Sequence, residues 1–201
     1  DDMMAAINEG RLIWLYTGHG AYDKLGAEDY FDGAADMGRF NNQDRLPFFI
    51  ASSCSVCHFD YWGFENLGQK TVMMDNFGAI ASFAASRSSS PTSNGPMMNH
   101  LLDKLTNGRN SLGQSIMIAK ILNTQSNDND ATYMLMGDPL LNVVPPVRDS
   151  LMTVSGRTAQ GDTLHARDLA IVSGSFSSSP VSGTFEIKAF NTKREYDLGW
   201  H

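Results

Sequence analysis

The chain has 201 residues, 42% of them hydrophobic, and a formal net charge of −7, enough for one full domain with a packed core and part of another. Its pI near 5.1 and lack of any basic run give a nucleic-acid or anionic-membrane surface no electrostatic support. The longest apolar stretches fall far short of the roughly 20 residues that span a bilayer.

In chain order, residues 1–10, DDMMAAINEG, read as the end of a helix, with neither a start Met nor a signal sequence, so an earlier part of the protein is expected. RLIWLYTGHG (11–20), LPFFIASSC (46–54) and FGAIASFAAS (77–86) are short apolar runs ending in Gly, Ser or Cys, the pattern of strands buried on both faces. A fourth strand is expected near TYMLMG (132–137). Helices are expected over 34–43, 63–76, 97–107 and 111–122, the last two from apolar spacings of three and four at Met98, Leu101, Leu102 and Leu105, then Leu112, Ile116, Ala119 and Leu122. Met73, Met74, Met97, Met98, Met134 and Met136 read as core. Strands alternating with helices imply an α/β fold built on a largely parallel sheet. Beyond Pro145-Pro146 the periodicity turns to alternation punctuated by Gly and Ser. The expected domains are therefore 1–146, and 147–201 as the start of an immunoglobulin-like β-sandwich.

Cys54-Ser55-Val56-Cys57-His58 admits three readings: a c-type haem attachment motif, a C-x-x-C redox pair, or a nucleophilic cysteine at a strand end. A haem here would displace the packing of the strand it follows. A zinc site lacks a second ligand pair. Residues 126–130, SNDND, lack the Gly and terminal Glu of an EF-hand loop, so no calcium motif is read and no cofactor or metal is expected. In a parallel sheet, reactive groups gather at the carboxyl edge. If the first two strands are neighbours, His19 and Cys54 emerge there together, as a Cys–His dyad requires. The amides of Gly20 and Cys54 could then form an oxyanion hole. Asp138 reads as a turn residue.

Together the residues resemble the gingipain family of cysteine peptidases, which has a caspase-like fold. The resemblance is carried by a strand ending Gly18-His19-Gly20, a strand ending in Cys54 with Phe59-Asp60 five residues on, FGAIASFAASRSSS, SLGQSIMIAKI, and YMLMGDPLLNVVPP. It is nearest the branch acting as the type IX secretion sortase. It implies a catalytic pair, His19 and Cys54, with Gly20 as oxyanion donor and a specificity-pocket wall along the Ser86–Ser90 tail, including Ser86, Arg87 and Ser88. It also implies protein or peptide substrates bearing carboxyl-terminal sorting domains, secretion-system components as partners, and an extracellular or outer-membrane site. Cys57 and His58 depart from that branch and inherit no role. A third catalytic group would lie in the missing earlier half. The alternative is a catalytically inactive caspase-like scaffold that only binds partners.

Overall fold

Gly10 closes the first helix, α1 (Asp2–Glu9), in a left-handed conformation (φ 97°) and donates its N–H to the Ile7 carbonyl at 3.0 Å, a conformation that glycine adopts without a Cβ penalty. The computed structural model describes residues 2–28, 30–107, 110–123 and 129–143, together with strand residues 150–154, 157–158 and 172–176. Its contacts divide the chain into two compact units, Asp1–Pro145 and Pro146–His201.

In the first unit, β1 (Ile13–Thr17) is followed by a two-residue ladder between β2 (Lys24–Leu25) and β3 (Phe31–Asp32). The central strands β4 (Phe48–Ser52) and β5 (Ala81–Ala85) come next, with α2 (Leu67–Met73) between them. Then follow α3 (Pro91–Asn107), α4 (Leu112–Leu122), a single turn α5 (Asn129–Thr132), and β6 (Tyr133–Met136). The sheet order is β1-β4-β5-β6. β1, β4 and β5 run parallel, with Thr17 opposite Ser52 and Ala51 opposite Ala84, and β6 closes the edge antiparallel. This is the mostly parallel, helix-flanked sheet expected.

β4 and β5 are continuous apolar runs because both their faces are covered. On one face Phe49 stacks on Trp14 at 4.1 Å between ring centroids, joined by Phe31, Phe40, Leu67 and Ile7. On the other, Phe48, Ile50 and Phe83 pack beneath Met97, Leu101, Leu105, Leu112 and Ile116 of α3 and α4. Burying each such side chain contributes roughly 1.5–3 kcal/mol.

Three expectations need correction. The segment 34–43 holds only a 3₁₀ turn at Met37–Arg39. Asp32 Oδ1 accepts from the amides of Ala34 and Ala35, and Asp36 Oδ2 accepts from the Asp32 amide, so side-chain acceptors outcompete a helical ladder. The 63–76 helix begins at Leu67, where Asn66 Oδ1 caps the Gln69 amide, and its Met73 is 69% exposed rather than core. The 97–107 helix begins six residues earlier, at Pro91. Proline suits a first helical position, and buried Ser93 and Asn94 tie that turn to the fold. The 111–122 expectation matches α4, which the structure shows to be closed at its start by a capping box between Ser111 and Gln114.

In the second unit, β7 (Ser150–Val154) pairs antiparallel with β8 (Arg157–Thr158) and β9 (Val172–Phe176). The immunoglobulin-like expectation for 147–201 falls mostly outside the described residues.

Candidate active site

Parallel pairing delivers the ends of β1, β4 and β5 to one edge of the sheet. The Gly18 amide donates to the Ser52 carbonyl at 3.3 Å, prolonging the ladder to the residue before His19. His19 has its carbonyl gripped by the Tyr16 hydroxyl and the Gly26 amide, each at 2.7 Å, while its side chain is exposed. Among the described residues no hydrogen bond holds the imidazole or joins it to Cys54. The hydrogen bonds that fix His19 are thus those of its backbone.

Gly20 lies directly against the end of β4. A Cβ there would collide with Ser53 Oγ and come within 3.0 Å of Val56 Cγ2 and 3.2 Å of the Cys54 carbonyl oxygen. Among the described residues, neither the Gly20 nor the Cys54 amide N–H has a protein acceptor. Two backbone N–H groups without a protein acceptor thus flank this close approach.

Cys54 leaves the strand half-buried, and Ser55 after it takes a left-handed conformation, φ 57°. That bend turns the chain along β5, so that the Ser55 amide donates to the Arg87 carbonyl at 3.0 Å and the Cys57 amide to the Ala85 carbonyl at 2.9 Å. The Cys54 sulfur accepts from the Ser89 amide at 3.4 Å and lies 3.7 Å from the Ser89 carbonyl oxygen. Ser89 Oγ donates to the Ser53 carbonyl at 3.1 Å, and that residue's main chain is also bonded by the Tyr133 hydroxyl, which accepts from the amide at 3.1 Å and donates to the carbonyl at 3.3 Å. Burial pushes the Tyr133 hydroxyl up to about 12, so it stays protonated. Sequence reasoning placed Ser89 only in the Ser86–Ser90 tail of a pocket wall, not against Cys54, and missed Asn94 and Tyr133. Tyr133, the buried first residue of β6, needs a polar partner for its hydroxyl, which was the available signal.

The three pocket-wall candidates differ. Ser86 is buried, its hydroxyl donating to the Thr132 carbonyl at 2.9 Å. Arg87 reaches Asp60 at 2.6 Å and holds that carboxyl below its usual range. Ser88 is exposed. A surface cavity along β1, walled by Trp14, Leu15, Tyr16, Thr17 and Tyr30, includes neither His19 nor Cys54.

Cys57 is fully buried, its sulfur 3.8 Å from Ser82 Oγ and against Gly68 of α2, and burial pushes its thiol up to about 12. Both cysteines are free. A sealed, protonated thiol is closed to haem attachment and poor at disulfide exchange. Among the described residues no cluster of three His, Cys, Asp or Glu gathers, and Asp138 Oδ1 accepts from the Leu140 amide at 2.8 Å, a turn bond.

Residues 1–144 match Peptidase family C25. The chain belongs to this family. Its fold is similar to the solved structure of the Arg-specific cysteine proteinase gingipain R (RGPB), with a TM-score of 0.61 and 19% identity over 76% of this chain and 38% of that one. It is similar also to the complex of Porphyromonas gingivalis RgpB pro- and mature domains, with a TM-score of 0.61 and 20% identity over 76% of this chain and 39% of that one. A third structure, described as a protease, gives a TM-score of 0.58 and 17% identity over 69% of this chain and 36% of that one. The chain thus spans under two-fifths of the length of these structures. No curated protein matches it. The gingipain-type, caspase-like expectation is met at the level of family and fold.

Proposed function

We propose that this C25 chain carries the nucleophile and the histidine of a cysteine peptidase, with Cys54 as nucleophile, His19 as its acid–base partner, and Gly20 and Cys54 as oxyanion donors. The observation that carries the reading is the approach of Gly20 to the Ser53–Cys54 backbone, with both amides unpaired at the sheet edge where His19 emerges. His19 takes the thiol proton and the thiolate attacks a peptide carbonyl carbon. The carbonyl oxygen gains the charge between the two amides. Collapse breaks the C–N bond, and His19 returns the proton to the leaving amine. Water then releases the acyl group in a protease, or an amine takes it in a sortase-like transpeptidase. Protein substrates with carboxyl-terminal sorting domains, secretion-system partners and an extracellular or outer-membrane site belong to the same reading. No described helix is long and apolar enough to cross a membrane.

The test is made on the full-length protein. A thiol-directed peptidyl probe should label Cys54, labelling should depend on His19, and Cys54→Ala should abolish cleavage or transfer. Labelling unchanged by His19→Ala, or absent altogether, would favour the inactive binding scaffold.

A further inference from the structure

The hydrogen bonds around Ser89 have more donors aimed toward Cys54 than a resting thiol needs. Asn129 fixes the pattern from behind: its Oδ1 accepts from the Ser90 amide at 2.9 Å, so its Nδ2 is the group that donates to the Ser90 carbonyl at 3.1 Å and to Asn94 Oδ1 at 2.7 Å. With Oδ1 of Asn94 so engaged, its Nδ2 must face Ser89 Oγ, at 3.0 Å. Asn94 and Asn129 are buried, 5% and 3% exposed, so neither amide can turn without stranding a polar group. Ser89 Oγ therefore accepts from Asn94, and its single proton can go to the Ser53 carbonyl at 3.1 Å or the Cys54 sulfur at 3.9 Å, with the Tyr133 hydroxyl also in contact.

We propose that Ser89 is a catalytic partner of Cys54, its amide and its hydroxyl together receiving the charge of the thiolate, with Asn94 and Asn129 as positioning residues. While the sulfur is protonated, the hydroxyl donates to the Ser53 carbonyl and the S–H faces acceptors on Ser89. When the proton leaves for His19, the hydroxyl turns its own proton to the sulfur, beside the Ser89 amide that already points there at 3.4 Å. The Ser53 carbonyl is not stranded by that turn, because the Tyr133 hydroxyl also donates to it. No proton is gained or lost at Ser89. A hydrogen bond to an ion is stronger than one between neutral groups, so the arrangement favours the thiolate selectively. The assignment rests on Cys54 being the nucleophile of the proposed peptidase.

The test is alkylation of the folded full-length protein by iodoacetamide, followed by peptide mass analysis across pH. Buried Cys57 serves as the control for unfolding. Ser89→Ala should slow Cys54 alkylation about tenfold near neutral pH, with the loss vanishing at high pH, where thiolate forms in every variant. Ser89→Thr, which keeps the hydroxyl, should stay within about twofold of the parent. Asn94→Ala should give a smaller loss with the same pH dependence, and it decides the matter if Ser89→Ala does not fold. Parental rates throughout, or a loss equal at every pH, would overturn the assignment, the latter marking Ser89 as a mere gate to the sulfur. Because alkylation needs no peptide cleavage, these outcomes stay readable even if Cys54→Ala leaves cleavage intact and the peptidase reading fails.

Discussion

Gly20 and Ser53 stand so close that no side chain fits between them: a Cβ at position 20 would overlap Ser53 Oγ, a buried hydroxyl without a partner among the described residues. The contact joins the turn after β1 to the end of β4, the two segments that carry the Gly20 and Cys54 amides. Gly20→Val should therefore part the two amides and lower the acylation rate about 10²-fold or more, as loss of one oxyanion donor does. Its melting temperature should fall less than that of Phe49→Ala, whose loss from the Trp14 stack should cost roughly 3–5 kcal/mol. Single-turnover acylation and a melting curve on one sample check both. Normal acylation by a folded but less stable Gly20→Val would assign the glycine to the turn alone.

The strands and the edge they share were legible because β4 and β5 are apolar on both faces, a pattern that depends on little beyond the local sequence. α4 was legible because Leu112, Ile116 and Ala119 recur at helical spacing and all three are buried. The turns at 34–43 were not, since helical spacing there competes with Asp32 and Asp36, whose acceptors capture nearby amides. The surroundings of Cys54 were the least legible part. Ser89 lies 35 residues from Cys54, and Tyr133 lies 80 from Ser53. Only the sheet and the packing of α3 bring them together, and no local spacing encodes such a contact.

The two cysteines should respond oppositely. Cys57→Ser keeps a small polar group opposite Ser82 Oγ, within reach of a hydrogen bond to replace the weak sulfur contact at 3.8 Å. It should preserve most of the proposed activity and cost about 1–2 kcal/mol for the polar atom placed in an apolar site. Cys54→Ala should remove the activity with little change in melting. Equal losses of activity from both would revive the redox pair, and a Soret band in the purified protein would revive haem; neither is expected.

Stability should decline on the alkaline side. The folded state holds the Tyr133 hydroxyl and the Cys57 thiol protonated up to about 12, above their ordinary values of 10.0 and 9.0. Where folded groups keep protons that unfolded ones release, stability falls as pH rises. The contribution is intact below about pH 9 and is lost progressively up to about pH 12. Urea unfolding at several pH values should show this slope, and it should be shallower in Cys57→Ala and in Tyr133→Phe than in the parent. Identical slopes in all three proteins would mean that neither group is sealed as the packing requires.

Ser55 gives the last expectation. A left-handed φ of 57° at a serine, one residue past Cys54, is held by the Ser55 amide on the Arg87 carbonyl and the Cys57 amide on the Ala85 carbonyl. For a residue with a Cβ this conformation costs about 1–2 kcal/mol, more where the side chain is β-branched. Ser55→Gly removes that cost but loosens the unfolded chain by about 0.4–1 kcal/mol, so the relief should outweigh the loss and melting should rise slightly. Ser55→Val should destabilise by more than about 1 kcal/mol and, where it still folds, should slow acylation by tilting Cys54 away from the Gly20 amide. The bend is thus expected to be tolerant of glycine and intolerant of valine. A valine variant as stable and as fast as the parent would show that the turn after the nucleophile does not require the left-handed conformation.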